Sequence, residues 1–386
     1  MAEHKTKKPR IALMSYAMDN RSGMGTALYT RRLLERMLSN DEFEFYMVHF
    51  EHVDDPLYDK AHEILIPYLK LPFATRFVRT MLFFWKYRNE KFDIIHWFQA
   101  RLYPFFWFAP AKHIVVTAHG GGEVTAPGAF PFSRRMFAFV MIHFNHYIDA
   151  IIAVSEFGRQ EIIEWFRASP ERVYVTYPGG GERFRIMPRE EAKKKIREKF
   201  GVSDAFILDV SRIEPHKNVV RLVESYILAR NRGITQKLVI VGKHGGLYDA
   251  SVVRSLAESA GYGDDVILIS HADGEDLNAL FAGADLFVFP SLNEGFGSPL
   301  VEAMSVGTPV ITSNTTAPPE VVGDAAVIVN PLDVEELARE ICRLLGDEKA
   351  RKELAARGIE RAKQFRWDKT TRETLDLYHT VLNKGQ

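Results

Sequence analysis

Short runs of aliphatic and β-branched residues recur along the chain, each followed by a stretch in which apolar positions return every three or four residues. The first half carries such runs at Ile11–Tyr16, Phe43–His49, Asp93–Trp97, Ile114–His119, Ala150–Val154 and Arg172–Thr176. The second half carries them at Phe206–Ser211, Lys237–Val241, Val266–Ile269, Leu286–Phe289, Val310–Thr312 and Ala326–Val329. Runs this short and this apolar predict strands buried on both faces of a parallel sheet, and the periodic stretches between them predict the covering helices. Each half holds enough of both for its own doubly wound α/β domain. Such sheets bind ligands beyond the carboxyl ends of their strands, so chemistry is to be sought there.

The change-over is expected within Tyr177–Arg185, where Gly179, Gly180 and Gly181 follow a strand. Consecutive glycines permit positive φ and a sharp change of direction. The expected division is an N-terminal domain over 1–182, a C-terminal domain over 183–366 and a closing helix over 367–386. A length of 386 residues suits two domains, and 46% hydrophobic with 26% charged residues is ordinary for chains that bury large cores. No apolar stretch is long enough to span a bilayer, and Met1–Arg10 is charged without an apolar segment, so secretion is not expected. The single cysteine, Cys342, sits in a helical pattern beside Ile341 and Leu344, where an inert thiol is expected; it forms no internal disulfide and supplies no metal-ligand set. A reducing, cytoplasmic location follows as the expectation. The formal charge of zero hides an asymmetry, with 30 Lys and Arg against 23 Asp and Glu in residues 1–200 and 20 against 27 in the rest. A basic half suits anionic lipid or an anionic substrate.

The segment after Leu286–Phe289 reads Pro-Ser-Leu-Asn-Glu294-Gly295-Phe296-Gly297-Ser298-Pro299-Leu300-Val-Glu302. Gly295 and Gly297 remove side chains where a ligand would approach backbone. Ser298 suits an N-cap and Pro299 the first helical position. The helix then begins with unused N–H groups and a positive dipole end, a site for a diphosphate. Glu302, one turn in, can accept two hydroxyl hydrogen bonds, as from a ribose, and Glu294 can meet a sugar hydroxyl. With 50 acidic residues in the chain, two carboxylates at this spacing arise often by chance, so the weight lies in the glycines, the proline and the strand end around them.

After Phe206–Ser211 come Arg212 and Lys217, two cations suited to a diphosphate leaving group, the first as a planar fork and the second as a point charge. The strand Lys237–Val241 ends at Gly242, which either admits a ligand to the backbone or simply makes a turn. In the first half, Gly23, Met24 and Gly25 follow the first strand; this is not G-x-G-x-x-G and no acidic residue is placed for a dinucleotide ribose. His119 ends Ile114–His119, placed either to bond a substrate hydroxyl or to serve the structure. Asp-x-Asp, His-Glu-x-x-His, a Walker A loop and G-x-S-x-G are all missing.

Together these residues resemble the retaining glycosyltransferases of GT-B fold known as family 4. The resemblance rests on Glu294-Gly-Phe-Gly-Ser-Pro-Leu-Val-Glu302, on Arg212 and Lys217, and on Gly307-Thr-Pro-Val-Ile-Thr followed by Pro319-Glu-Val-Val-Gly-Asp. It implies two Rossmann-like domains facing a central cleft, with the last helix crossing back to the first domain. Glu302 would hold the donor ribose, Glu294 a hydroxyl of the transferred sugar, and Arg212 and Lys217 the diphosphate. Gly295 to Gly297, with Ser298, Leu300 and Gly242, would line the donor site. His119 would approach the sugar and Gly23 to Gly25 the phosphates, although Met24 interrupts the family's glycine pair. The implied reaction retains anomeric configuration without a metal or other cofactor, the sugar nucleotide being substrate. The stretch from Glu294 to Pro331 looks most like mannosyltransferases using GDP-mannose, with UDP-glucose or another UDP-sugar as the alternative donor. A sugar-nucleotide epimerase and a catalytically inactive sugar-nucleotide-binding protein are the rival functions.

The acceptor is expected to be a glycan or a lipid-linked molecule, with no nucleic-acid partner. Leu71–Lys91 places Phe73, Phe77, Met81, Phe84 and Trp85 at helical spacing among Arg76, Arg79, Lys86, Arg88 and Lys91. Such a helix either lies on an anionic membrane surface, giving peripheral contact at its inner face, or buries its aromatic stripe in the domain. Leu102–Pro110 is also apolar, with prolines that suggest a loop.

Overall fold

The structure, a computed structural model, describes residues 7–19, 25–66, 76–99, 105–120, 131–243 and 250–384, with the backbone alone for 76–77 and 131–137. The chain divides into two compact units, one of residues 1–125, 129–178 and 367–386, the other of 126–128 and 179–366.

The first unit is built on a parallel sheet of β1 (Arg10–Met14), β2 (Glu44–His49), β3 (His62–Leu65), β4 (Phe92–Trp97), β5 (Ala111–Ala118), β6 (Ala150–Ala153) and β7 (Val173–Val175). Among the described residues their order is β3-β2-β1-β4-β5-β6-β7. Leu13 of β1 lies opposite Met47 on one side and His96 on the other. Ile11, Ala12, Leu13, Ile94, Ile95, Val115 and Val116 are buried, as expected of strands covered on both faces. The edge strand β3 escaped the apolar pattern because its residues face water: His62, Glu63 and Leu65 are exposed. Charge at an edge blunts pairing with other chains.

The second unit repeats the design with β8 (Phe206–Val210), β9 (Lys237–Val241), β10 (Val266–Ile269), β11 (Leu286–Phe289), β12 (Val310–Ser313) and β13 (Val327–Val329), in the order β10-β9-β8-β11-β12-β13. Both are doubly wound α/β sheets. The order reverses at β8 and β11, so the loops leaving their carboxyl ends flank the crevice where open sheets take ligands.

The helices follow local chemistry. Asp333 caps Val334–Gly346 by accepting from Glu336 N at 2.8 Å, and Asp347 caps Glu348–Ala362 through Ala350 N at 2.9 Å. Val334–Gly346 buries Leu337, Ala338, Ile341 and Leu344. Cys342 on that helix is half-buried, and burial pushes its thiol pKa up.

The helix Arg76–Tyr87 divides the aromatic stripe read from the sequence. Phe83 and Phe84 are buried in the core while Leu82 and Trp85 face out. Arg79 is also internal, donating to Phe50 O at 2.6 Å and Ile66 O at 2.7 Å, so it is no surface cation. Of the two readings of this segment, burial in the domain describes Phe84, while Trp85 stays exposed; Leu71 to Thr75 lie outside the described residues. The helix Trp367–Asn383 packs in the first unit, with Thr370 Oγ1 donating to Tyr177 O at 2.7 Å. Among the described residues no helix is long and apolar enough to cross a membrane.

Candidate functional site

The β8 and β11 loops meet side chain to side chain. Lys217 donates from Nζ to Glu294 Oε1 at 2.6 Å, with both side chains mostly buried, and the ammonium lies 5.5 Å from the centre of the Phe289 ring. Two residues singled out in segments 77 positions apart are thus in direct contact at the strand-order switch. Arg212 stays half-exposed, bridging to Glu214 at 3.2 Å.

Asn218 holds this arrangement. It adopts a left-handed φ of 61°, tolerated by Asn, at the start of the helix Val219–Asn231. Its amide donates to Pro290 O at 3.1 Å and to Pro331 O at 2.7 Å, tying the β8 loop to the segments after β11 and β13. Leu292 N donates to His216 O at 2.7 Å in support. Behind Glu294, Thr316 carries φ of 54°, a costly conformation for a β-branched residue, and its Oγ1 accepts from Glu294 N at 3.0 Å. Neither Asn218 nor Thr316 was singled out from the sequence, where left-handed non-glycine backbone leaves little trace.

Asp209 was missed as well, because it lies inside an apolar run. It is fully buried near the end of β8, and burial pushes its carboxyl up to about 7, with Ser211 and Lys217 pulling down and Glu294 pushing up. Ser211 Oγ donates to its Oδ2 at 2.5 Å, while among the described residues Oδ1 has no donor.

Gly297 precedes the helix Ser298–Ser305 with a left-handed φ of 90°, which glycine adopts without strain. Gly297 therefore holds the N-cap position, and Ser298 makes no capping bond with its side chain. That corrects the expected Ser298 cap. Pro299 has no N–H, and Leu300 N donates to Gly297 O at 2.9 Å, so the expected row of free donors is shortened. Phe296 and Leu300 are buried, Phe296 with its ring edge-on to Phe365 at 5.4 Å. Only their backbone is left to meet a ligand; Gly295 is half-buried in the loop. Glu302 is half-buried, burial raises its carboxyl to about 7 against the pull of Arg183, and among the described residues nothing donates to that carboxylate. At Gly242 a Cβ would lie 2.0 Å from Ser211 O, so backbone packing alone demands glycine there.

The glycines at the change-over act differently from expectation. Gly180 has φ of −149°, and what excludes a side chain is the helix Ser298–Ser305. A Cβ at Gly180 would sit 2.7 Å from Val301 Cγ1, and one at Gly181 2.7 Å from Ser305 Cβ.

In the first unit His119 donates from Nε2 to Phe98 O at 2.9 Å and meets the Tyr29 ring edge-on at 4.8 Å. Burial lowers its pKa to about 4, so near neutrality it is uncharged and its Nδ1 is an acceptor. Gly25 opens the helix Gly25–Met37 and is exposed. Gly23 and Met24 lie outside the described residues.

Comparison with known proteins agrees with this architecture. Residues 190–363 match the profile of the glycosyl transferases group 1, and residues 24–179 that of glycosyltransferase family 4. O-antigen chain mannosyltransferase B of Escherichia coli is 33% identical over 273 residues, covering 69% of this chain and 70% of that protein. The serotype-specific mannosyltransferase WbdA of Escherichia coli is 32% identical over 240 residues, which are 62% of this chain but 29% of WbdA. Among solved structures, Anabaena HepE in complex with UDP-glucose superposes with a TM-score of 0.76 at 18% identity, over 96% of this chain and 99% of that one. The two sheets, the paired profiles and the likeness to O-antigen chain mannosyltransferase B place this chain in the glycosyltransferases of GT-B fold.

Proposed function

We propose that the chain transfers mannose from GDP-mannose to a glycan or lipid-linked acceptor, with retention of anomeric configuration and without a metal. The observation that carries this reading is the Lys217–Glu294 contact at the β8–β11 switch, in the same unit as the Glu302 carboxylate, to which no described group donates. A diphosphate on Lys217 and Arg212 would sit where charge develops as the bond to the sugar breaks, which is where preorganised cations act most strongly. Glu294, already fixed by Lys217 and by Thr316, would accept from a sugar hydroxyl. Glu302 would accept two ribose hydroxyls; its pKa is raised by burial without donors, and gaining them lowers it. His119, uncharged, would offer Nδ1 as an acceptor to a substrate hydroxyl.

In the reaction the bond from C1 to the diphosphate oxygen breaks and a bond from C1 to the acceptor oxygen forms. The acceptor proton passes to the departing diphosphate. The protein supplies position and charge. The mannosyl donor is supported by the mannosyltransferase relatives, and UDP-glucose, the ligand of HepE, is the alternative.

A thermal-shift panel of GDP-mannose, GDP-glucose, UDP-glucose and UDP-N-acetylglucosamine separates them, since a bound donor raises the melting temperature by mass action. The expected result is selective stabilisation by GDP-mannose, turnover unaffected by EDTA, an α-linked product, and a loss of about a hundredfold in kcat for Lys217→Ala. Selective stabilisation by UDP-glucose would replace the donor, and a β-linked product would overturn retention. Unchanged turnover in both Lys217→Ala and Glu294→Ala would remove the site.

A further inference from the structure

His119 follows β5 with part of its surface open, and its packed side meets groups to which the donor site gives no role. Tyr29, one turn into the helix Gly25–Met37, is buried and stands perpendicular to the imidazole, the two ring planes 86° apart and the centroids 4.8 Å apart. Trp367, the first residue of the closing helix, is buried as well and meets the Tyr29 ring at 5.5 Å. The contact with His119 is made by the ring of Tyr29. Its hydroxyl is buried beside Thr117 but makes no hydrogen bond among the described residues, and Thr117 Oγ1 already lies 2.8 Å from His96 Nε2.

The bond from Nε2 to Phe98 O, at 2.9 Å, does not by itself orient the imidazole. In this ring Nε2 lies close to the line of the Cβ–Cγ bond, so a partner there restrains rotation about that bond only weakly. Nδ1 lies further from the line and swings with any such rotation. What fixes the plane is packing against the ring, and among the described residues Tyr29 is the aromatic side chain that touches it. A perpendicular pair of rings has a definite geometry, worth about 0.5–1.5 kcal/mol beyond burial. Charge does not compete for the imidazole. The titratable groups that face it, among the described residues, are Tyr29 and His96, with Tyr378 beyond His96. Burial pushes both phenols up and His96 down to about 3, so all three are uncharged near neutrality.

We infer that Tyr29 is a positioning residue for His119: its ring, backed by Trp367 of the closing helix, sets the plane of the imidazole and with it the direction in which Nδ1 offers its lone pair to a substrate hydroxyl. That role rests on the proposed contact between His119 and substrate. It gives the closing helix a part in the chemistry, since the residue that opens the helix packs on the residue that packs on His119. The wall also keeps the ring dry on that side, where burial holds the His119 pKa at about 4 against an ordinary 6.5. Without the Tyr29 ring, water reaches the imidazole and its pKa moves back toward the ordinary value. A proton on Nδ1 then turns the acceptor into a donor.

The test reads His119 directly, by long-range nitrogen–proton correlation NMR of the histidine-labelled full chain from pH 5 to 8, with His119→Gln to assign the signal. Wild type should show a neutral ring with its proton on Nε2 throughout. Tyr29→Phe keeps the ring and should restore both this spectrum and wild-type turnover, melting no lower because it drops a hydroxyl that had no partner. Tyr29→Leu, which keeps bulk without a flat ring, and Tyr29→Ala should show mixed tautomers and a His119 pKa raised by about one unit or more. Their kcat should fall about tenfold. The ratio of variant to wild-type kcat should fall further from pH 7.5 to 6, a comparison in which Asp209 and Glu302 cancel and which lost packing alone would not produce. A wild-type ring with its proton on Nδ1 overturns the proposal, and so does a His119 signal in Tyr29→Leu that matches wild type; neither measurement needs substrate or a fragile variant. Loss in Tyr29→Phe equal to that in Tyr29→Ala would also overturn it, since the hydroxyl would then be the acting group. Undiminished turnover in His119→Ala, with the spectral differences intact, would instead strike the substrate contact on which the role rests.

Discussion

A buried acid without a full set of donors is the residue whose behaviour departs most from its sequence context. Asp209 lies in Phe-Ile-Leu-Asp-Val, which reads as a core strand, and its carboxyl is held near 7 against an ordinary value of 3.8. Between those values the folded chain keeps a proton that the unfolded chain has lost. Stability conferred by this group is therefore full below about pH 4 and is lost as pH rises through about 7. The expected loss is on the order of a few kcal/mol. Glu302 is raised in the same direction, but it is present in both chains when wild type is compared with Asp209→Asn, and so cancels. Urea unfolding at intervals from pH 4 to 8 should show the variant gaining on wild type as pH rises. A difference that stays flat with pH would mean that Asp209 is ionised in the fold.

At the scale of elements, the helix Ser298–Ser305 owes its seat to Gly180 and Gly181. Replacing Gly180 by Ala would force its Cβ to 2.7 and 2.9 Å from Val301 Cγ1 and Cβ, contacts that only movement of the helix relieves. The expected cost is about 1–3 kcal/mol, read as a lower melting temperature. Donor affinity should fall with it, because Glu302 rides on the moved helix. Gly346→Ala, where a Cβ meets nothing within 4 Å, is the neutral comparison. Equal melting temperatures for the two variants would show that the helix is not packed on Gly180. The case also shows where reading from sequence runs out. Three glycines announce a special backbone, but a need for positive φ and a need for close packing leave the same residues behind. The buried strands were legible because sheets covered on both faces demand unbroken apolar runs, whereas β3 was not, since an exposed edge demands none. Lys217 and Glu294 were legible as chemistry after strand ends. Their contact, and the part played by Asn218 in fixing it, depend on strand order, which no local pattern encodes.

At the scale of the whole chain, the path leaves the first unit near Pro178 and returns to it at Trp367. The closing helix Trp367–Asn383 is part of that unit's core. Tyr378 is buried, with its hydroxyl 2.6 Å from His96 Nδ1, and His96 Nε2 lies 2.8 Å from Thr117 Oγ1. Burial depresses the His96 pKa to about 3, so the imidazole is neutral and holds one donor and one acceptor, each matched by a hydroxyl. Tyr378→Phe strands one of those nitrogens in the core, at a cost of about 1–3 kcal/mol. Because His96 lies on β4 and Thr117 on β5, the loosening belongs to the first unit. Hydrogen exchange followed by mass spectrometry should show faster exchange in 92–97, 111–118 and 367–383, with 206–210, 286–289 and 310–313 unchanged. Acceleration spread equally over both sets would mean that the two units unfold as one cooperative body, and no acceleration anywhere would mean that the hydroxyl is not holding the helix to the sheet.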